Sequence, residues 1–187
     1  MGPSDPKSLQ SLGFLTALED EQQGWLGGLL VLNSASRPLE FHCTAPVKPS
    51  RAQEILYGNT LVPYICGEQI GAALAKKSNF QPAVYFTNVV DMMAVRRLVD
   101  SPVVYVDCTP AESKSLRIDS PHGTVPAPHL GEFIKFTAND LAMCVDKNFP
   151  GDESSAIRLL DSALAIDLHE PFERVHEALQ ETQLRKR

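Results

Sequence analysis

The stretch "PAVYFTNVVDMMAVRRLVDSPVVYVDCTP", residues 82 to 110, constrains the fold more than any other. Its two short apolar runs, 83 to 86 and 103 to 106, are unbroken rather than alternating, the pattern of strands covered on both faces. Between them Met92, Val95 and Val99 recur at i, i+3 and i+7, a helical stripe that opens near Asn88. Strand, helix and strand in that order form a βαβ unit, whose strands run parallel. A parallel pair needs helices over both of its faces, so a layered α/β structure is expected.

A second β signal precedes it. In "GWLGGLLVLNSASRPLEFHCTAPV" two apolar stretches flank the turn formers "NSASRP", which predicts a hairpin. Strand period places Leu39, Phe41, Cys43 and Ala45 on one face and Glu40, His42 and Thr44 on the other. Cys43 and His42 therefore point apart and do not form a nucleophile with its base. Cys43 is expected in the core, and His42 needs a partner if its face is covered. "GFLTALED" reads as a strand or a helical turn.

Ser50 with Gln53 has the form of a capping box, opening a helix from Arg51 to about Gly58. Thr60 caps a second helix, "LVPYICGEQIGAALAKK", where Pro63 is tolerated in the first turn and Cys66, Ile70, Ala73 and Leu74 make an apolar stripe. Gly67 and Gly71 on that helix allow close approach of another backbone. Residues 110 to 128 read as loop and "GEFIKFT" as a strand, while Thr137 with Asp140 resembles a further capping box opening a helix through Leu141, Cys144 and Val145. Beyond Pro150 the pattern is helical, with Asp167 capping a last helix whose stripe is Phe172, Val175 and Leu179.

The expected fold is α/β or α+β: a mixed sheet from the N-terminal β-hairpin and the βαβ unit, helices on its faces and a C-terminal helical tail. Residues 1–11 are expected as a flexible leader, 12–149 as the α/β core domain, and 150–187 as a helical segment packed on the core or on a partner. A chain of 187 residues with 43% hydrophobic content is long enough for one such core.

The formal net charge of −6 disfavours phosphate backbones, and Lys76-Lys77, Arg96-Arg97 and Arg185 to Arg187 are too short to make a basic patch. Nucleic acid is expected to be an unlikely partner. With no apolar run of membrane-spanning length and no signal-peptide pattern, no membrane association and a cytoplasmic location are expected. Cys43, Cys66, Cys108 and Cys144 contain no CxxC pair, and His169 and His176, about 10.5 Å apart along a helix, are too distant to share a metal. No metal site and no cofactor are implied by a motif; neither GxGxxG nor GxxxxGK[ST] occurs.

The strongest chemical candidate is the crevice at the carboxyl ends of the parallel strands, where open α/β sheets bind ligands. Thr87, Asn88 and Asp91 leave the first strand there, and Asp107 and Thr109 leave the second. Two carboxylates beside a helix N-terminus suit Mg²⁺ held partly through water. Catalytic residues remain unknown on this reading. The function expected is a non-catalytic intracellular protein-binding or scaffold module, with Phe172, Val175 and Leu179 as its partner-binding stripe and a homo- or hetero-oligomer as the form. The alternative is a small-ligand or nucleotide-binding protein, or a Mg-dependent enzyme, using the crevice near Asn88 and Asp107.

Overall fold

The computed structural model describes residues 11–106, 133–162 and 167–184. Its centre is a seven-stranded mixed sheet in the order β3-β2-β1-β4-β5-β7-β6. The strands are β1 (Leu12–Asp20), β2 (Gly24–Leu32), β3 (Pro38–Cys43), β4 (Val84–Thr87), β5 (Val103–Val106), β6 (Phe133–Ala138) and β7 (Leu141–Asp146). The helices are α1 (Arg51–Tyr57), α2 (residues 61–77), α3 (Gly151–Ser162) and α4 (Glu170–Leu184). The expected mixed α/β architecture is therefore present, with β4 and β5 parallel as a βαβ unit requires. β1 joins them as a third parallel strand beside β4.

Two apolar layers sandwich the sheet. On one side Phe14, Leu30, Phe86, Val104 and Val145 pack with Leu159, Leu160, Phe172, Val175 and Leu179 of α3 and α4. On the other, Leu15, Leu29, Tyr85 and Val103 pack with Ile65, Cys66, Ile70 and Leu74 of α2 and with Met92, Met93 and Val95. Alternation along β1 sends Leu12 and Phe14 to the first layer and Leu15 and Ala17 to the second. Phe14 meets the Phe172 ring edge-on at 5.4 Å. Phe172, Val175 and Leu179 are 2%, 0% and 0% exposed, which leaves that stripe no surface to offer a partner.

The helix of the βαβ unit is a 3-10 helix, Val90–Arg97. It lies close against α2, whose central part, Tyr64–Gly71, is π-helical. Close contact explains both glycines of α2. A Cβ at Gly67 would sit 2.9 Å from the Val95 backbone nitrogen, and one at Gly71 would sit 2.7 Å from Met92 Sδ. The capping box of α1 is complete: the Ser50 hydroxyl accepts from the Gln53 amide at 3.3 Å, and the Gln53 side chain accepts from the Ser50 amide at 2.9 Å.

One element departs from the sequence reading. Residues 138 to 146 form a β-turn and strand rather than a helix: Asn139 and Asp140 have φ of 50° and 62°, and β6 and β7 pair across them from Ala138↔Leu141 to Phe133↔Asp146. Two adjacent residues of positive φ make the tight hairpin turn that Asn and Asp tolerate. The Thr137-x-x-Asp140 spacing resembled a helix cap only because the same polar residues serve both ends.

His42 lies against Glu40. Its Nε2 lies 2.7 Å from Glu40 Oε1, two residues along the same face of β3. Glu40 accepts from the Ser78 hydroxyl at 2.6 Å and from the Asn79 side-chain amide at 2.7 Å, tying the edge strand to the end of α2. Burial alone would raise the Glu40 pKa, but the hydrogen bonds from Ser78, His42 and Asn79 outweigh it and lower the value to about 2. Cys43 is half-buried against the first layer, while Leu39 and Phe41 of this edge strand stay exposed.

Candidate functional site

β1 and β4 pair only from Leu12↔Val84 to Leu15↔Thr87. Beyond that point β4 turns away, while β1 continues to Asp20 beside β2. The two strands part there, at the place the sequence marked for a crevice, and the next residues along them are Thr16 and Asn88.

Thr16 is the only polar residue between Leu12 and Leu18 of β1, and it is fully buried. Its hydroxyl donates to Asn88 Oδ1 at 2.7 Å and lies 3.2 Å from His176 Nε2 on α4. Three elements separated by up to 160 residues in the chain thus meet in one polar cluster. A hydroxyl has a single proton, so with Asn88 accepting it the Thr16 oxygen accepts from Nε2–H of a neutral imidazole. Burial holds His176 below the ordinary imidazole pKa, against an opposing pull from the Glu173 carboxylate. Burial thus favours the neutral ring that this hydrogen-bond arrangement needs.

Of the described residues expected here, Asn88 alone joins the cluster. The Thr87 side chain is buried and turns back on its own loop, accepting from the Val89 amide at 3.1 Å and donating to the Val89 carbonyl at 3.3 Å. Asp91, in the first turn of the 3-10 helix, belongs to the opposite layer, where its charge is felt by the buried Cys66. Burial pushes its carboxyl up to about 6. Asp107 and Thr109 lie outside the described residues. Sequence reading missed Thr16 and His176, although both left a trace: a lone polar residue in an apolar strand, and a histidine four residues after Phe172, on the buried side of its helix.

A divalent cation of the kind expected from the sequence does not suit this cluster. Mg²⁺ takes hard oxygen ligands, usually with one or two carboxylates, and Thr16, Thr87, Asn88 and His176 supply none. Among the described residues no group of three His, Cys, Asp or Glu is placed to hold a metal ion. Two pockets lie apart from this cluster. One of about 410 Å³ is lined by Tyr57, Tyr64, Glu68, Met93, Arg97 and Phe133 among others, and includes none of Thr16, Asn88 and His176. No described helix is long and apolar enough to cross a membrane.

No protein-family model and no curated protein matches the chain. The fold, however, has solved neighbours. One is Endonuclease V of Ciona intestinalis in complex with a 23mer DNA containing an inosine followed by a ribo-adenosine, with TM-score 0.50 and 10% identity over 97% of this chain and 88% of that one. Another is the catalytic domain of human Endonuclease V, with TM-score 0.50 and 13% identity over 96% of this chain and 84% of that one. The chain has the fold of these enzymes across nearly its whole length. This finding corrects the expectation of a non-catalytic protein-binding scaffold to which nucleic acid is an unlikely partner: the neighbours are nucleases, one of them bound to DNA. A net charge averages over the whole surface and does not describe any one part of it, so it was a weak ground for excluding such a partner.

Proposed function

We propose that this protein acts on nucleic acid, engaging a strand at the crevice where β4 parts from β1. The observation that carries the reading is the Thr16, Asn88 and His176 cluster, a built polar site at the carboxyl ends of the parallel strands. The likeness to a DNA-bound endonuclease supports the choice of nucleic acid over a small metabolite. Contacts there are hydrogen bonds from uncharged groups, so few counterions are released on binding and affinity falls only gently with salt.

Titration of the full chain against labelled single-stranded and duplex oligonucleotides, with and without an inosine, tests this. Saturable binding that weakens when Asn88 is replaced by Ala is expected, together with a shallow salt dependence. Absence of binding to every such strand at low salt would sink the proposal.

A further inference from the structure

Resting on that reading, the geometry points to a crevice that takes its strand through the Asn88 amide, braced by Thr16 and His176, and that does so without a divalent cation. Thr16 donates its only proton to Asn88 Oδ1 at 2.7 Å, and its oxygen, 3.2 Å from His176 Nε2, accepts from that nitrogen. With Oδ1 engaged, the Asn88 amide is oriented, and its Nδ2 makes no hydrogen bond to a described residue. Asn88 is half-buried, so two N–H donors are held ready at the mouth of the crevice.

The same arrangement suits a cation poorly. The cluster holds no carboxylate, each of its two oxygens already accepts one hydrogen bond, and its free group is N–H, the wrong polarity for a metal ligand. Asp91, the described carboxyl nearest in sequence to Asn88, belongs to the 3-10 helix whose Met92, Met93 and Val95 pack in the layer across the sheet. The group that fits the Asn88 donors is an acceptor oxygen of the bound strand, from a phosphate or a base carbonyl. Asn88 is the contact residue, and Thr16 and His176 are positioning residues.

The experiment is fluorescence anisotropy of the full chain with a labelled oligonucleotide, in excess EDTA and in millimolar Mg²⁺. Equal affinity in both is expected. Asn88→Ala weakens binding roughly three- to tenfold, the range that loss of one hydrogen bond produces. Asn88→Asp weakens it in EDTA and recovers as Mg²⁺ is added, because the new carboxylate now needs a cation to meet an anionic strand. Thr16→Val weakens binding and Thr16→Ser, which keeps the hydroxyl, restores it, an outcome that packing alone would not give. An abasic strand separates the two sources of acceptor oxygen: unchanged affinity assigns it to the backbone, lost affinity to a base.

Loss of wild-type binding in EDTA overturns the inference, as does an Asn88→Ala variant that binds normally. Thermal melts with Mn²⁺ alone need no strand: a rise in Tm that Asn88→Ala removes also overturns it, and an unchanged Tm supports it. Failure of the wild type to bind any oligonucleotide instead sinks the proposed function and leaves the metal result standing.

Discussion

The two ends of the parallel strands are built from opposite chemistry. At the amino end of β5, Arg96 donates from Nε to Asp152 Oδ2 at 2.6 Å and from Nη2 to Oδ1 at 3.1 Å. The Val103 amide adds a bond to the same carboxylate at 3.1 Å, the Val99 carbonyl accepts from Arg96 Nη1, and the guanidinium lies 4.0 Å above the Phe149 ring. At the carboxyl end, Thr16, Asn88 and His176 form an uncharged relay with donors left over. One end carries full charges whose partners are all supplied by the protein; the described cluster at the other is uncharged, and its Asn88 Nδ2 has no described partner. A saturated ion pair locks helix to sheet, whereas an unsaturated neutral relay at a strand end has something left to offer a ligand.

The sharpest way to break this contrast is at the charged end. Arg96 and Asp152 side chains are only 13% and 5% exposed, so removing one leaves a buried, unpaired charge. Asp152→Ala should lower the unfolding free energy by about 3–5 kcal/mol, measured by urea denaturation, because it strands both the guanidinium and the Val103 amide. Asp152→Asn, which keeps an acceptor oxygen, should lose less. Oligonucleotide affinity per folded molecule should be unchanged in both. A strong effect on affinity would mean that the amino end is more than an anchor.

Asp91 sharpens the contrast from the side of pH. Burial raises its carboxyl from 3.8 to about 6, so the folded state holds this proton more tightly than the unfolded chain does. The stability associated with the protonated form is complete below about pH 4 and is lost as pH rises through 6. Asp91→Asn stays neutral throughout and should be more stable than the wild type at pH 8, by up to about 2–3 kcal/mol, and equal to it near pH 4. Chemical denaturation at the two pH values measures the difference. A variant that is less stable than the wild type at pH 8 would mean that the ionised carboxylate has a partner after all.

How far these features were legible in the sequence depended on the distance between the residues that make them. The capping box at Ser50 and Gln53 and the βαβ unit are set by neighbours, and local pattern predicted both. Asn88 was picked out because it follows an apolar strand. Thr16 and His176 were not, since their meeting depends on β1 docking beside β4 and α4 covering both, a contact across 160 residues. Asp91 was assigned to the crevice on the same local reasoning, but it belongs to the layer of Cys66, and a one-dimensional pattern does not say which face of the sheet a helix will cover. The hairpin of β6 and β7 fell to a different ambiguity: Asn139-Asp140 suits a tight turn as well as a cap, and pairing decides between them.

Thr16→Val makes the smallest change and isolates the relay itself. Valine keeps the branched shape of threonine and puts a methyl in place of the hydroxyl, so the neighbouring apolar layer is little disturbed. Asn88 is half-buried and can exchange the lost bond for water, which limits the cost to about 1 kcal/mol. The more telling readout is the His176 titration followed by NMR. In the wild type the ring titrates below the ordinary imidazole value because of burial, opposed by Glu173, and the protein should carry the Nε2–H tautomer at pH 7. Without the Thr16 oxygen to receive that proton, the preference for Nε2–H should weaken, visible in the ring nitrogen shifts, while the pKa stays depressed because burial persists. If the tautomer is the same in both proteins, the hydroxyl does not orient the histidine, and the carboxyl end is a set of independent polar residues rather than a relay.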